Sequence, residues 1–143
     1  MIYLDTSLLV ALITNEARTA RALDWLAAVD VDLLTSEWAM AEIASALSIK
    51  QRQGALDGAG RALAERTLSG IADDGLHVVP VATADFRRAA DYVRLPERSL
   101  RAADALHLAV AGRLGATVHS LDGVQVAAAR QLGIDAVLTV KRQ

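Results

Sequence analysis

Ile2-Tyr3-Leu4-Asp5-Thr6-Ser7-Leu8-Leu9-Val10-Ala11-Leu12-Ile13 decides the fold. It reads as a short buried strand, Ile2 to Leu4, a polar Asp-Thr-Ser turn, and an apolar helix from Leu8 to Ile13. The alternation continues outward. Ala17 to Val29 has helical spacing, with Leu23, Trp25 and Leu26 on or near one face. Asp32 to Thr35 is a second strand. Ser36 caps the next helix, Glu37 sits in its favourable first turn, and Gly54 stops it just after Gln53. Asp57 caps a helix that ends near Ser69 or Gly70, and Leu76 to Val79 is a third strand closed by Pro80. Thr83 caps a helix through Val93, and Leu95 to Arg98 is a loop carrying Pro96. Ser99 caps a helix from Arg101 to Leu114, ended by Gly115. Thr117 to Ser120 is a fourth strand, Asp122 begins a helix to Leu132 closed by Gly133, and Ala136 to Val140 is a fifth strand.

No two strands are joined by a tight hairpin, so crossover connections are required. The expectation is one α/β domain over residues 1–143, three layers deep (α/β/α), around a central, mainly parallel five-stranded sheet. In such sheets the site lies beyond the carboxyl ends of the strands. Asp5 and Asp122 stand at two of those ends.

The bulk properties narrow the function. With 143 residues, 53% hydrophobic and 22% charged, the chain is long and apolar enough for a full core. The absence of cysteine excludes a disulfide, a zinc–thiolate site and a thiol nucleophile. A formal net charge of −2 argues against a general electrostatic nucleic-acid binder, and 3% aromatic content argues against base-stacking platforms. Neither excludes an enzyme that holds nucleic acid through a metal and a local basic rim. The strand at Ile2 leaves no room for a signal peptide, and no apolar run reaches the roughly 18 residues of a membrane span. A cytoplasmic protein with no membrane partner is the expectation.

Two acids stand where a helical sequence least tolerates them. Asp104 lies within Ala102-Ala103-Asp104-Ala105-Leu106-His107-Leu108-Ala109-Val110-Ala111, and Glu42 within Trp38-Ala39-Met40-Ala41-Glu42-Ile43-Ala44. Both stretches are apolar nearly all round, so both helices should be largely buried. A buried carboxylate needs compensation. Asp5, Glu42, Asp104 and Asp122 together suggest one shared site, and the simplest compensation is a hard divalent cation, Mg²⁺ or Mn²⁺. With no serine–histidine pair, several carboxylates point to metal-dependent phosphodiester hydrolysis. Simpler readings stand beside this one: Asp5 and Asp122 as helix caps, and Glu42 and Asp104 as partners of an arginine from elsewhere. Ser7 and Ser120 read as positioning groups for a water or phosphate, or as caps. Arg101, one turn before Asp104, reads as phosphate-directed or as a solvated first-turn residue. His107 shares a helical face with Asp104 and reads as a packed helical histidine or a contact to that acid.

These residues resemble the PIN-domain family, and more narrowly the VapC-type toxins of bacterial toxin–antitoxin systems. The resemblance runs through Ile2-Tyr3-Leu4-Asp5-Thr6-Ser7, Glu42, Leu100 to Ala109, and Ser120-Leu121-Asp122. It implies a small α/β/α domain, an Mg²⁺- or Mn²⁺-dependent ribonuclease site built from Asp5, Glu42, Asp104 and Asp122, an RNA substrate, a homodimer, and a cognate antitoxin that occludes the site. Ser120 stands where the family often has threonine, and Gly123 where a polar or charged residue is common.

Other classes remain in view: a phosphatase on a similar sheet, a phospho-accepting receiver-like domain, and a non-catalytic interaction domain. Thr6 and Ser7 stand where a phosphatase would carry its second acid. Lys141 suits a receiver, but Val78-Val79-Pro80-Val81 offers no acceptor aspartate on the strand expected to carry it. An interaction domain has no use for Asp104 and Glu42.

Overall fold

The structure, a computed structural model, describes residues 1–95 and 99–140. Pro96 and Lys141 lie outside them. The described elements are β1 (Ile2–Leu4), α1 (Thr6–Ile13), α2 (Thr19–Ala28), β2 (Leu33–Ser36), α3 (Glu37–Arg52), α4 (Gly58–Asp73), β3 (Leu76–Val79), α5 (Thr83–Val93), α6 (Ala102–Leu114), β4 (Thr117–Ser120), α7 (Gly123–Gln131) and β5 (Ala136–Leu138). The expected alternation is present, and the differences are at the ends. Helix α4 runs on to Asp73 because no glycine with positive φ stops it before Gly75 (φ 121°). Ser99 and Thr83 do not cap. Arg101 and Ala82 hold the N-cap positions without side-chain cap bonds, and at α5 the Asp85 carboxylate reaches back to the Ala82 N–H instead. The glycine stops are as read: Gly54, Gly115 and Gly133 have φ of 74°, 64° and 73°, where a Cβ is strained.

The five strands form one sheet in the order β3-β2-β1-β4-β5, and all four pairings are parallel. The chain thus builds outward from β1 to one edge, crosses back, and builds to the other edge. The switch point lies between β1 and β4, where α/β sheets open a crevice at the strand ends. Asp5 and Asp122 follow these two strands directly.

Successive side chains of a strand point to opposite faces, and β1 shows it. Tyr3 joins a core with α6, α5 and α7, while Leu4 joins a second core with α1, α3 and α4. Helix α6 is buried without a break from Ala105 to Ala111. Truncating Leu108, fully buried there, to alanine costs about 2–5 kcal/mol. Helix α3 departs from expectation. It buries Ala39, Ile43 and Leu47 at i, i+4 and i+8 but exposes Ala41, Ala44 and Ile49. Its alanines kept the sequence apolar without requiring burial, so Glu42 rides at the edge of the buried stripe.

Candidate active site

Asp5 leaves β1 in extended conformation and N-caps α1, its Oδ1 accepting from Leu8 N at 3.0 Å. The residue is only 4% exposed. Ser7 Oγ donates to both carboxylate oxygens (2.8 and 2.9 Å), and Ser120 Oγ donates to Oδ2 at 2.6 Å. Each serine is aimed by a backbone amide: Leu121 N donates to Ser7 Oγ and Asp122 N to Ser120 Oγ. The hydroxyls sit 3.3 Å apart. Ser120 has no exposed surface, so it is turned to Asp5 rather than to a bound molecule, while Ser7 holds Asp5 and also lines the cleft. Burial raises the Asp5 pKa, and the bonds from Ser120, Leu8 and Ser7, with the charge of His107, only partly offset it.

Asp122 N-caps α7 through Oδ1, accepting from Val124 N at 2.8 Å and Gln125 N at 3.4 Å. The capping reading of Asp5 and Asp122 is therefore correct as geometry. It does not exhaust either residue, because both also face the same cleft.

Asp104 stands at the third position of α6, where the helix N-terminus favours an anion. Its side chain is 23% exposed. Its charged neighbour is Arg101, at 3.5 Å and 82% exposed. Among the described residues no hydrogen bond reaches its carboxylate. Burial raises its pKa, and the charges of Asp122 and Glu42 raise it further against the lowering by Arg101 and His107. Three acids thus feel one another across the site.

Glu42, 27% exposed, is held through Oε1 by His107 Nε2 and by Thr6 Oγ1, which donates at 3.0 Å. Burial alone would raise its pKa, but the His107 bond and charge, Thr6 and Arg101 bring it below the usual range. The arginine partner that the structural reading offered is a histidine instead. His107 is 2% exposed and contacts Glu42 rather than Asp104, because Asp104 on the preceding turn projects into the cleft.

Asp5, Glu42, Asp104 and Asp122 all line one open cleft of about 350 Å³, with Ser7, Arg101 and His107. Sequence reasoning missed two charged lining residues, Arg18 and Glu16. Arg18 donates from Nη1 to Leu121 O at 3.0 Å, and Glu16 pairs with Lys50. It also passed over Thr6, though that residue lay inside the quoted Asp-Thr-Ser turn. Among the described residues no three acidic or histidine side chains form a ready-made metal cage. The donor set nonetheless fits a hard divalent cation: carboxylate oxygens at the switch point, one without a hydrogen bond and raised by its neighbours' charge. No helix among the described residues is long and apolar enough to cross a membrane.

The pattern of the PIN domain family matches residues 2–131. No curated protein sequence matches the chain. Among solved structures, VapC20 of Mycobacterium tuberculosis, described as a sarcin–ricin-loop-cleaving toxin, is 24% identical with a TM-score of 0.72, over 90% of this chain and 95% of that one. FitAcB of Neisseria gonorrhoeae is 19% identical with a TM-score of 0.74, over 97% and 98%. A toxin–antitoxin complex from Klebsiella pneumoniae is 16% identical with a TM-score of 0.69, over 99% and 100%. At these identities the likeness is one of fold.

Proposed function

Because the chain belongs to the PIN domain family, we propose that it is a metal-dependent endoribonuclease, the toxin of a toxin–antitoxin pair. One observation carries the reading. Asp104 is a half-buried carboxylate with no hydrogen bond among the described residues, in the same cleft as Asp5, Glu42 and Asp122 and raised by the charge of two of them. A half-buried acid with a purely structural role would have a hydrogen-bond donor, whereas the charged neighbour of Asp104 is the exposed Arg101 at 3.5 Å.

Asp5, Asp104 and Asp122 would hold Mg²⁺ or Mn²⁺, with Glu42 completing the set. The ion supplies charge to the scissile phosphate and a more acidic water. Ser7 and Ser120 keep the Asp5 carboxylate in one orientation, so little ordering remains when substrate arrives. Glu42 would accept a proton from the attacking water through Oε2, because both of its hydrogen bonds among the described residues go to Oε1. Arg101, 82% exposed beside Asp104, is placed to meet a backbone phosphate. RNA is the substrate class supported by the VapC20 likeness, and an antitoxin partner by the toxin–antitoxin complex of the same fold. A homodimer working in the cytoplasm completes the proposal.

Purified chain, free of partner, is expected to cleave RNA with Mg²⁺ or Mn²⁺, and to stop with EDTA or on Asp5→Asn. Cleavage that survives both chelation and Asp5→Asn overturns the reading.

A further inference from the structure

Resting on the nuclease reading, we propose that His107 is the positioning residue for Glu42, so that one helix, α6, sets two acids of the site: Asp104 directly and Glu42 through the imidazole. The two residues sit at i and i+3 on one face of α6. Asp104 lines the cleft at 23% exposure, while His107 is 2% exposed and joins Glu42, on α3.

The imidazole cannot turn. Its Nδ1 is 2.7 Å from the Tyr3 hydroxyl of β1, and that hydroxyl is 2.7 Å from Ser36 Oγ at the end of β2. Ser36 Oγ accepts from Ala39 N at 3.3 Å. The Tyr3 and His107 rings pack edge to face at 5.7 Å. One direction is fixed by chemistry: an ionised carboxylate only accepts, so Nε2–H donates to Glu42 Oε1. The Tyr3 hydroxyl bridges Nδ1 and Ser36 Oγ and holds the ring from its other side. Thr6 Oγ1, 3.2 Å from Nε2, donates to the same oxygen. Among the described residues no hydrogen bond reaches Oε2. One carboxylate oxygen is thus doubly tied to the scaffold and the other is left for the site. Buried donors behind ligating carboxylates typically tune metal affinity by 10- to 100-fold.

Two near-isosteric variants separate positioning from packing. The carboxamide nitrogen of His107→Gln reaches the place of Nε2 and keeps the donor to Glu42. His107→Asn reaches only the place of Nδ1, keeping the Tyr3 contact and losing Glu42. In Mn²⁺ titrations of the full chain, His107→Asn is expected to weaken binding about tenfold or more and His107→Gln to stay within about threefold of the parent. With RNA, kcat is expected to fall with the Asn variant while KM holds. Equal loss in both variants, or loss in neither, overturns the proposal. A second arm needs no metal: long-range ¹H–¹⁵N spectra of the metal-free parent are expected to show a protonated, hydrogen-bonded Nε2, and a bare Nε2 overturns the proposal. A parent that shows the Gln/Asn split in Mn²⁺ binding but cleaves no RNA refutes the nuclease reading and leaves the positioning role standing. In a parent that binds no Mn²⁺, the spectra decide alone.

Discussion

Neutralising Asp104 tests the site through stability, and the sign of the effect is set by the surroundings of the carboxylate. On the favourable side are an exposed ion pair with Arg101 at 3.5 Å, worth up to about 1 kcal/mol, and the α6 N-terminus, worth about 0.3–1 kcal/mol. Against them stand burial without a hydrogen bond among the described residues and the charges of Asp122 and Glu42. The Asp104 pKa is raised above 3.8, so the opposing group wins and the ionised form destabilises the metal-free fold. Asp104→Asn is therefore expected to leave the metal-free stability unchanged or raise it by up to about 1 kcal/mol, about 3–4 °C in Tm for a chain of this size. The parent gains about 2.7 kcal/mol when Mn²⁺ reaches a hundred times its Kd, and the variant should lose most of that gain. Asp85 is the internal contrast. It is 2% exposed, takes bonds from Arg113 at 2.8, 2.9 and 3.1 Å, and accepts from Ala82 N. Asp85→Asn leaves Arg113 facing an amide, and because Arg113 is 35% exposed the expected cost is about 2–3 kcal/mol, below that of breaking a fully enclosed pair. Thermal melts in EDTA, repeated with Mn²⁺, measure both variants. If Asp104→Asn melts as far below the parent as Asp85→Asn, and the parent shows no Mn²⁺ shift, Asp104 is structural and the reasoning fails.

Ser120→Ala removes the 2.6 Å donor from a carboxylate that is only 4% exposed; it is expected to cost about 1.5–3 kcal/mol in denaturant melts, and a cost near zero would refute the shared role of the two serines. The pH dependence of the metal-free protein should carry two opposing slopes. Asp5 and Asp104 have raised folded pKa values, so protonating them on the way down toward 3.8 adds stability. Glu42 and Asp85 have lowered ones, so the stability they contribute above 4.5 and 3.8 is lost as pH falls through their folded values. Asp104→Asn should flatten the first slope and leave the second, as read from urea midpoints at each pH. The proposed homodimer is checked by light scattering at micromolar concentration, expected to give twice the monomer mass; a monomer would contradict it.

What the sequence by itself determined is short in range. Apolar runs, the Asp5, Ser36, Asp57 and Asp122 caps, and the stops at Gly54, Gly115 and Gly133 are read within a turn or two of chain, because capping and left-handed φ are local requirements. They sufficed for five strands, the helices between them and a parallel sheet. The four acids were legible because a carboxylate in an apolar helix is locally anomalous. Tertiary structure alone decided what each acid meets. Strand order put β1 beside β4 and so brought Ser120 onto Asp5 across a separation of 115 residues. Tyr3 and His107 are 104 residues apart, and Glu42 and His107 are 65 apart. Asp85, on an ordinary polar helix, gave no local sign of burial, because its partner Arg113 arrives from α6, 28 residues on. Hydrogen bonds of this kind have no periodicity to read. They form wherever packing of the two cores delivers a donor to an acceptor, and that delivery is a property of the whole fold.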